Sequence, residues 1–447
     1  MDVITNKPWT LFVLAVLGVL LLQSPLIFNP GYLSHDELQW AYYATHSPGG
    51  FFGNGLWGDI HAFQYRPLTF SLWMVLSRHL FEHPYAFHAV LVMWGAINTG
   101  LLAQLLRRAG AEFHIALLGA LVFALGPYAS YIHGWVGTIA DLIWLSCALS
   151  IGLVAMHARR AWVIVAIVSA LTTVALLSKE AAIVIPVLVL LAWWFSGRQR
   201  AWGIAMFAAG APVAIYLALR LGSILFSKAT TGSIYQWSFA SIPVRWLEYQ
   251  LFPVLTSRLG AGDFLQKGFG SQQIQMACVG WLLLVAALWR VGWRWVAAFV
   301  LGGAAALGPV LLLGGAANQY GYGFAAVTAG VVALAWREMP RVSRVIVAIY
   351  ALFCVWHGVN IVRSTHDIGV KQSHFSPALA QAVKASTSIV RLRPEVEKDR
   401  WIYERLTFDI PGYQGVAIGG RVQLVSGDEA SDYLITSQGD LKIVRTR

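Results

Sequence analysis

Apolar residues fill this chain in long runs, and the breaks between the runs are short and carry arginines. Eleven runs predict membrane-spanning helices: 9–28, 85–106, 113–127, 139–156, 161–177, 180–195, 202–226, 275–289, 295–315, 322–336 and 343–363. An upright helix needs about 20 apolar residues to cross the hydrocarbon core, so the shorter runs must borrow residues from their flanks. A twelfth stretch, 65–82, is apolar but interrupted by Ser71, Ser77, Arg78 and His79. It predicts a helix lying along the membrane surface, with Pro67 in its first turn. The 227–274 segment forms a large loop in which Arg245–Pro253 predicts another surface or partly inserted helix.

Beyond residue 363 the pattern changes. Polar and apolar residues alternate, and the segment 364–447 reads as a small soluble α/β domain following a transmembrane domain of 1–363. Ser376-Pro377 predicts a helix start, with the helix running to about Val390. Strands are expected at 400–407, 421–425, 432–436 and 441–446, the last two turning around Gln438-Gly439-Asp440. The fold class is thus an all-α polytopic membrane protein with external juxtamembrane helices and a small α/β appendage.

Composition agrees. The 447 residues are 57% hydrophobic and 12% charged, with 20 Trp. The net charge of +11 is explained by topology. With the N-terminus inside, every short cytoplasmic loop holds at least two arginines: Arg107/Arg108, Arg159/Arg160, Arg198/Arg200, Arg290/Arg294 and Arg337/Arg341/Arg344. This puts the first loop (29–84), 128–138, 227–274 and the tail outside, and it argues against nucleic-acid binding. Cys147, Cys278 and Cys354 fall inside predicted spans, so no disulfide framework is indicated. The first run lacks a small-residue cleavage site and reads as a retained span.

Candidate chemistry collects on the outer side. Ser34-His35-Asp36-Glu37 follows the first span. Ser34 and Glu37 have the spacing of a helix-capping box, and Asp36 is an acid that capping does not require. A glycine-rich aromatic stretch, 48–59, leads to His61 and Arg66; a guanidinium suits phosphate oxygens. Thr138…Asp141 repeats the capping spacing after the second external loop. Ser178-Lys179-Glu180 reads either as an interfacial ion pair or as a cation for a lipid-linked phosphate. Asn318-Gln319-Tyr320-Gly321-Tyr322 opens a late run on the same face.

In that order, the acidic first loop, Tyr65-Arg66-Pro67-Leu68, Gly126-Pro127…Asp141-Leu142, Leu176-Leu177-Ser178-Lys179-Glu180 and Gln319-Tyr320-Gly321-Tyr322 resemble the GT-C superfamily of membrane glycosyltransferases. The resemblance covers roughly residues 30–325 and is nearest to the protein O-mannosyltransferase branch; the lipid A aminoarabinose transferase shares the plan. It implies a sugar donor carried on a polyprenyl phosphate and a glycan, lipid or protein acceptor. Asp36 would be the catalytic base, with Glu37 beside it and Asp141 as the second acid. Arg66 and Lys179 would face the donor phosphate, and His35, His61, Glu180, Gln319 and Tyr320 would touch substrate. A divalent metal ion between Asp36 and Asp141 would be compatible with this chemistry. The chain departs from the family where Gly126 replaces the usual His before Pro127 and Gln319 replaces an Arg, and the tetratricopeptide tail of some members is absent.

The implied setting is a bacterial inner membrane, with the N-terminus cytoplasmic and the appendage periplasmic. Two rivals remain. A transporter or flippase of lipid-linked sugars would place its ionisable residues deep within spans. An O-antigen ligase or polymerase would centre on a large loop, here 227–274 with Arg245, Arg258 and Lys267.

Overall fold

A computed structural model describes residues 9–46, 60–62, 64–226, 235–266, 268–427 and 429–444, with 224–226 described by backbone alone. The glycine-rich stretch 48–59 and Lys267 lie outside the described residues.

Each of the eleven apolar runs coincides with a helix. Among the described residues, seven helices are long and apolar enough to cross a membrane. An eighth span results if Phe113–Leu125 and Pro127–Gly134, bent by 60° about Gly126, count as one. These helices are apolar on faces that the protein does not cover. Ala161–Ser178 has a mean hydropathy of 2.2 in its most apolar window, yet only 33% of that window is buried; for Gln272–Trp289 the share is 28%. Phe207, Ile215, Leu282, Leu352 and Trp356 all point outward. A water-soluble fold would not leave so much contiguous apolar surface, whereas a bilayer stabilises it.

The elements that position the site are α1 (Thr10–Leu22), α2 (His35–His46), α3 (Pro67–Leu80), α4 (Pro84–Arg108), α5 (Phe113–Leu125), α6 (Pro127–Gly134) and α7 (Ile139–His157). They are followed by α8 (Ala161–Ser178), α9 (Ile185–Phe195), α10 (Arg200–Phe226), α11 (Ile242–Leu251), α12 (Gln272–Trp289), α13 (Trp293–Leu307) and α14 (Tyr322–Ala335). The expected surface helix 65–82 is α3, 14 residues long with Pro67 at its start. The expected helix in the 227–274 loop is α11. It is fixed by Arg245, which pairs with Glu248 and with Asp263 (2.9 Å) and bonds the Gly314 carbonyl (2.6 Å).

The last apolar run continues far beyond 363. Helix α15 (Arg341–Ala385) spans 45 residues and passes through Pro377, so Ser376-Pro377 does not start a helix. Proline removes one backbone bond there. Phe375 and Leu379, buried on either side of it, fix the helix by packing. The expected strand 400–407 is also a helix, α16 (Arg400–Thr407). Its buried residues Ile402, Tyr403 and Leu406 are spaced for a helix face, and Arg400 bonds Glu404 one turn on (2.7 Å).

The expected strands near 421–425, 432–436 and 441–446 appear as β4 (Val422–Leu424), β5 (Tyr433–Ile435) and β6 (Leu441–Ile443). An additional strand, β1 (Val390–Pro394), occupies the end of the expected helix. It is central in a sheet of order β4-β1-β5-β6, parallel except for the antiparallel β5–β6 hairpin. A small hairpin, β2 (Gly412–Tyr413) with β3 (Val416–Ala417), completes the appendage. The appendage shares a core with the segment 29–84. Leu33 and Leu38 pack in one cluster with Tyr131, Trp135, Leu392 and Leu406.

Candidate functional site

Two helices, α2 and α3, carry the segment 29–84 onto the apolar helices. Trp40 of α2 stacks on Trp73 of α3, with ring centroids 3.4 Å apart, and the Trp73 indole N–H donates to the Val136 carbonyl (3.0 Å). Thr69 of α3 donates to the Ser178 carbonyl (2.8 Å) at the end of α8. These bonds set Arg66, immediately before α3, beside the α8–α9 connection and the start of α7.

Five of the sequence candidates meet there. The Lys179 ammonium pairs with Asp141 Oδ2, and both side chains are almost completely buried. The other Asp141 oxygen accepts from the Trp144 indole (3.3 Å). Arg66 Nε donates to Glu180 Oε2 at 2.8 Å. The Lys179 ammonium stands 5.2 Å from the centre of the Tyr320 ring, a cation–π contact. The adjacent Lys179 and Glu180 therefore do not pair with each other, as the sequence suggested; each reaches to a different element. The Asp141 capping box does not form either. Thr138 donates its hydroxyl to the Ile132 and Trp135 carbonyls, and no side chain caps α7. Burial is the largest influence on Arg66 and lowers its pKa, but the charge and hydrogen bond of Glu180 together with Tyr320 and Tyr235 outweigh it and raise the pKa, so the guanidinium stays charged.

A second group lies at the start of α2. The Ser34 hydroxyl accepts from the Asp36 N–H at 3.5 Å, a loose cap. The reciprocal half of the capping box is missing, because both Glu37 carboxyl oxygens are buried without a hydrogen-bond partner. Burial pushes the Glu37 pKa up to about 8, the neighbouring Asp36 charge adds to this, and Arg405 offsets part of it. Glu37 is thus a neutral acid at pH 7. Asp36 remains partly exposed and contacts His35 Nε2 at 3.3 Å. Burial lowers the His35 pKa against the pull of Asp36, and Arg405 lowers it further.

Comparison with protein-family models, with curated proteins and with solved structures finds no match. The site must be read from its own geometry.

That geometry separates the candidates into two groups. Arg66, Asp141, Lys179, Glu180 and Tyr320 form one; His35, Asp36 and Glu37 form the other. No recorded contact joins Asp36 to Asp141. Among the described residues no three His, Cys, Asp or Glu side chains converge as a metal site, and Asp141 is committed to Lys179 and Trp144. A divalent cation bridging Asp36 and Asp141 does not fit this arrangement. His61 bonds the Ser223 hydroxyl (3.1 Å), and Gln319 is half-buried beside Tyr320. Asn318 is structural: it holds Leu259 and Ala261 of the large loop at 2.7 and 2.6 Å.

Two residues at these groups escaped the sequence reading. Arg220, fully buried near the end of α10, bonds the Ile60 and Ala62 carbonyls and lies over the rings of Tyr65 and Tyr216. A lone cation inside the apolar run 202–226 was its signal. Arg405 of α16 stands 5.0 Å over the Trp135 ring and faces Tyr131, Glu37 and Asp36. Nothing in the local sequence of the appendage marks it, because the contact exists only once the appendage folds back on α2.

Proposed function

We propose that the chain is a glycosyltransferase of the GT-C type, moving a sugar from a polyprenyl-phosphate donor to an acceptor hydroxyl at the external face of the membrane. The observation that carries the reading is the Arg66–Glu180 and Lys179–Asp141 cluster. Two cations and two acids meet where spans end and surface helices begin, which is where the phosphate of a membrane-embedded donor lies. A buried ion pair is costly to assemble and weak evidence for stability alone, so a cluster of two suggests a chemical task.

The roles follow from what each group can supply. Arg66 and Lys179 stabilise negative charge on the phosphate as the bond to the anomeric carbon breaks. Asp141 and Glu180 hold those two cations in place until the phosphate competes for them. Asp36, partly exposed on the adjacent surface helix, takes the acceptor's proton. Within this reading, eleven crossings place the N-terminus in the cytoplasm and the appendage in the periplasm of a bacterial inner membrane.

The flippase reading predicts charge deep within the spans. Here Asp141 lies in the first turn of α7, Lys179 just past α8 and Arg220 in the last turns of α10, so the ionisable groups gather at one end of the bundle. The large loop, central to the ligase reading, spends its Arg245 on a structural network. Deletion of the gene tests the proposal: a polyprenyl-phosphate monosaccharide should accumulate. An unchanged pool of lipid-linked sugars together with an intact set of envelope glycans, lipids and glycoproteins would reject it.

A further inference from the structure

We propose that the opposite end of the bundle is a second lipid site, a cavity that takes the acyl chains of one anionic phospholipid and holds its phosphate at Arg108, Arg294 and Arg337. The cavity measures about 1140 Å³ and lies among α4, α7, α9, α13 and α14. Its wall on α7 is the stripe Leu145, Ala148, Leu149 and Gly152, spaced to share one helix face. Facing it on α14 are Ala326 and Gly330, whose small size leaves the space open, while Gly323 is packed against the Trp144 ring.

The cavity is open on one side and mostly apolar, so within a bilayer it is accessible to lipid. It is larger than typical small-ligand pockets, and interiors are otherwise packed as densely as organic crystals. Along the stretch walled by Leu145, Ala148, Leu149, Ala326 and Gly330, water is a poor filling, because a bound water needs two to four polar partners and these side chains offer none. The occupant must therefore be apolar over most of its length.

Its head is set by charge. Arg108, Arg294 and Arg337 line one end of the cavity, with Glu112 and Glu338 beside them. The two acids have other partners: Glu112 contacts His114 (3.4 Å) and Glu338 accepts from the Trp295 indole (3.3 Å). Among the described residues none of the three arginines pairs with a carboxylate, so the rim presents net positive charge to a phosphate. An apolar body with a phosphate at one end is a phospholipid of the leaflet on the arginine-bearing side.

The far end of the cavity touches the candidate site. Trp144 lines the cavity and donates to Asp141. A Cβ on Gly323 would meet the Trp144 ring at 2.3 Å, so that ring is wedged between α7 and α14. A lipid filling the cavity packs beneath this ring and supports the Asp141–Lys179 pair from below. The proposal does not depend on the glycosyltransferase reading.

Native mass spectrometry of the purified full-length protein, titrated with phosphatidylglycerol or phosphatidylcholine, tests it. One phosphatidylglycerol should remain bound at detergent concentrations that strip phosphatidylcholine. The triple variant Arg108→Gln, Arg294→Gln, Arg337→Gln should weaken that binding at least tenfold, while the matching Arg→Lys triple keeps most of it. Gly330→Leu should also reduce binding. The nearest atom to a Cβ at that position is a Leu106 methyl at 3.7 Å, an ordinary contact, and an unchanged thermal midpoint of the variant separates loss of the site from loss of the fold. Equal binding of the two lipids, or wild-type binding by both the Gln triple and Gly330→Leu, would overturn the site. So would finding a peptide, a second copy of the chain or polyprenyl phosphate in place of the phospholipid.

Discussion

Glu37 offers the clearest link between burial and a measurable quantity. Its carboxyl group has no hydrogen-bond partner and is held near a pKa of about 8, against 4.5 when unburied. Between those two values the folded protein keeps a proton that the unfolded chain releases. Stability therefore falls as pH rises from about 4.5 to about 8, and is flat with respect to this group outside that window. At 1.36 kcal/mol per pH unit, the full span corresponds to about 5 kcal/mol. Glu37→Gln keeps the shape and stays neutral at every pH, so it removes this slope. Asp36, His35 and Arg405 are the charged or titratable neighbours on the packed elements, and they are present in both proteins. The assay is the thermal midpoint of each protein in detergent, measured from pH 5 to pH 9. The difference, variant minus wild type, should grow steadily with pH by several degrees and level off above pH 8. Parallel curves would show that Glu37 is already ionised in the fold and would refute the argument. A variant that loses relative stability as pH rises would do the same.

Other consequences follow from the same geometry. Removing one partner of the buried Lys179–Asp141 pair, by Lys179→Met or Asp141→Leu, should cost about 3–5 kcal/mol, while the double variant recovers much of it; a double-mutant cycle in denaturant reads the coupling. Arg66→Ala should weaken use of the donor about tenfold or more without unfolding the protein, measured as the donor KM, because it removes a phosphate contact and frees Glu180. Arg405→Gln should raise the pKa of Glu37 further, extending the stability slope above to higher pH; an unchanged slope would show that Arg405 does not act on the acid. Cysteines introduced at Ser71 and Glu82 should both be labelled from outside the membrane, as should one in the appendage. Labelling of Glu82→Cys from the cytoplasm alone would invert the topology.

The helical architecture was legible because a bilayer imposes one rule on every span, and each of the eleven apolar runs became a helix. Lengths were less legible, since α1, α9, α14 and the bent α5–α6 pair fall short of a straight crossing. The appendage was harder. The run Trp401-Ile402-Tyr403 has the aromatic and β-branched composition of a strand, and only the Arg400–Glu404 contact and the burial of Ile402, Tyr403 and Leu406 reveal the helix. In α15, packing around Phe375 carried the helix through Pro377, a residue that local preference treats as a beginning. For the site, the residue types and their common face could be read, and Arg66, Lys179, Asp141, Glu180 and Tyr320 do lie together. Their pairing could not be read. Lys179 and Glu180 are neighbours in sequence, but Lys179 turns to α7 and Glu180 to the start of α3. Arg405 was invisible because its partners, Glu37, Asp36, Tyr131 and Trp135, all lie in distant parts of the chain.

Transfer of labelled sugar from a polyprenyl-phosphate donor by the purified protein and its Asp36→Asn variant tests the central claim most directly. The wild type should release polyprenyl phosphate and glycosylate an envelope acceptor supplied as a membrane extract. Asp36→Asn, which keeps the size of the side chain but cannot take a proton, should lower turnover by about 10²–10⁴-fold while still binding donor. Near-normal transfer by the variant would remove Asp36 from the chemistry. Failure of the wild type to consume any lipid-linked sugar, alongside movement of that lipid between leaflets, would contradict the account itself.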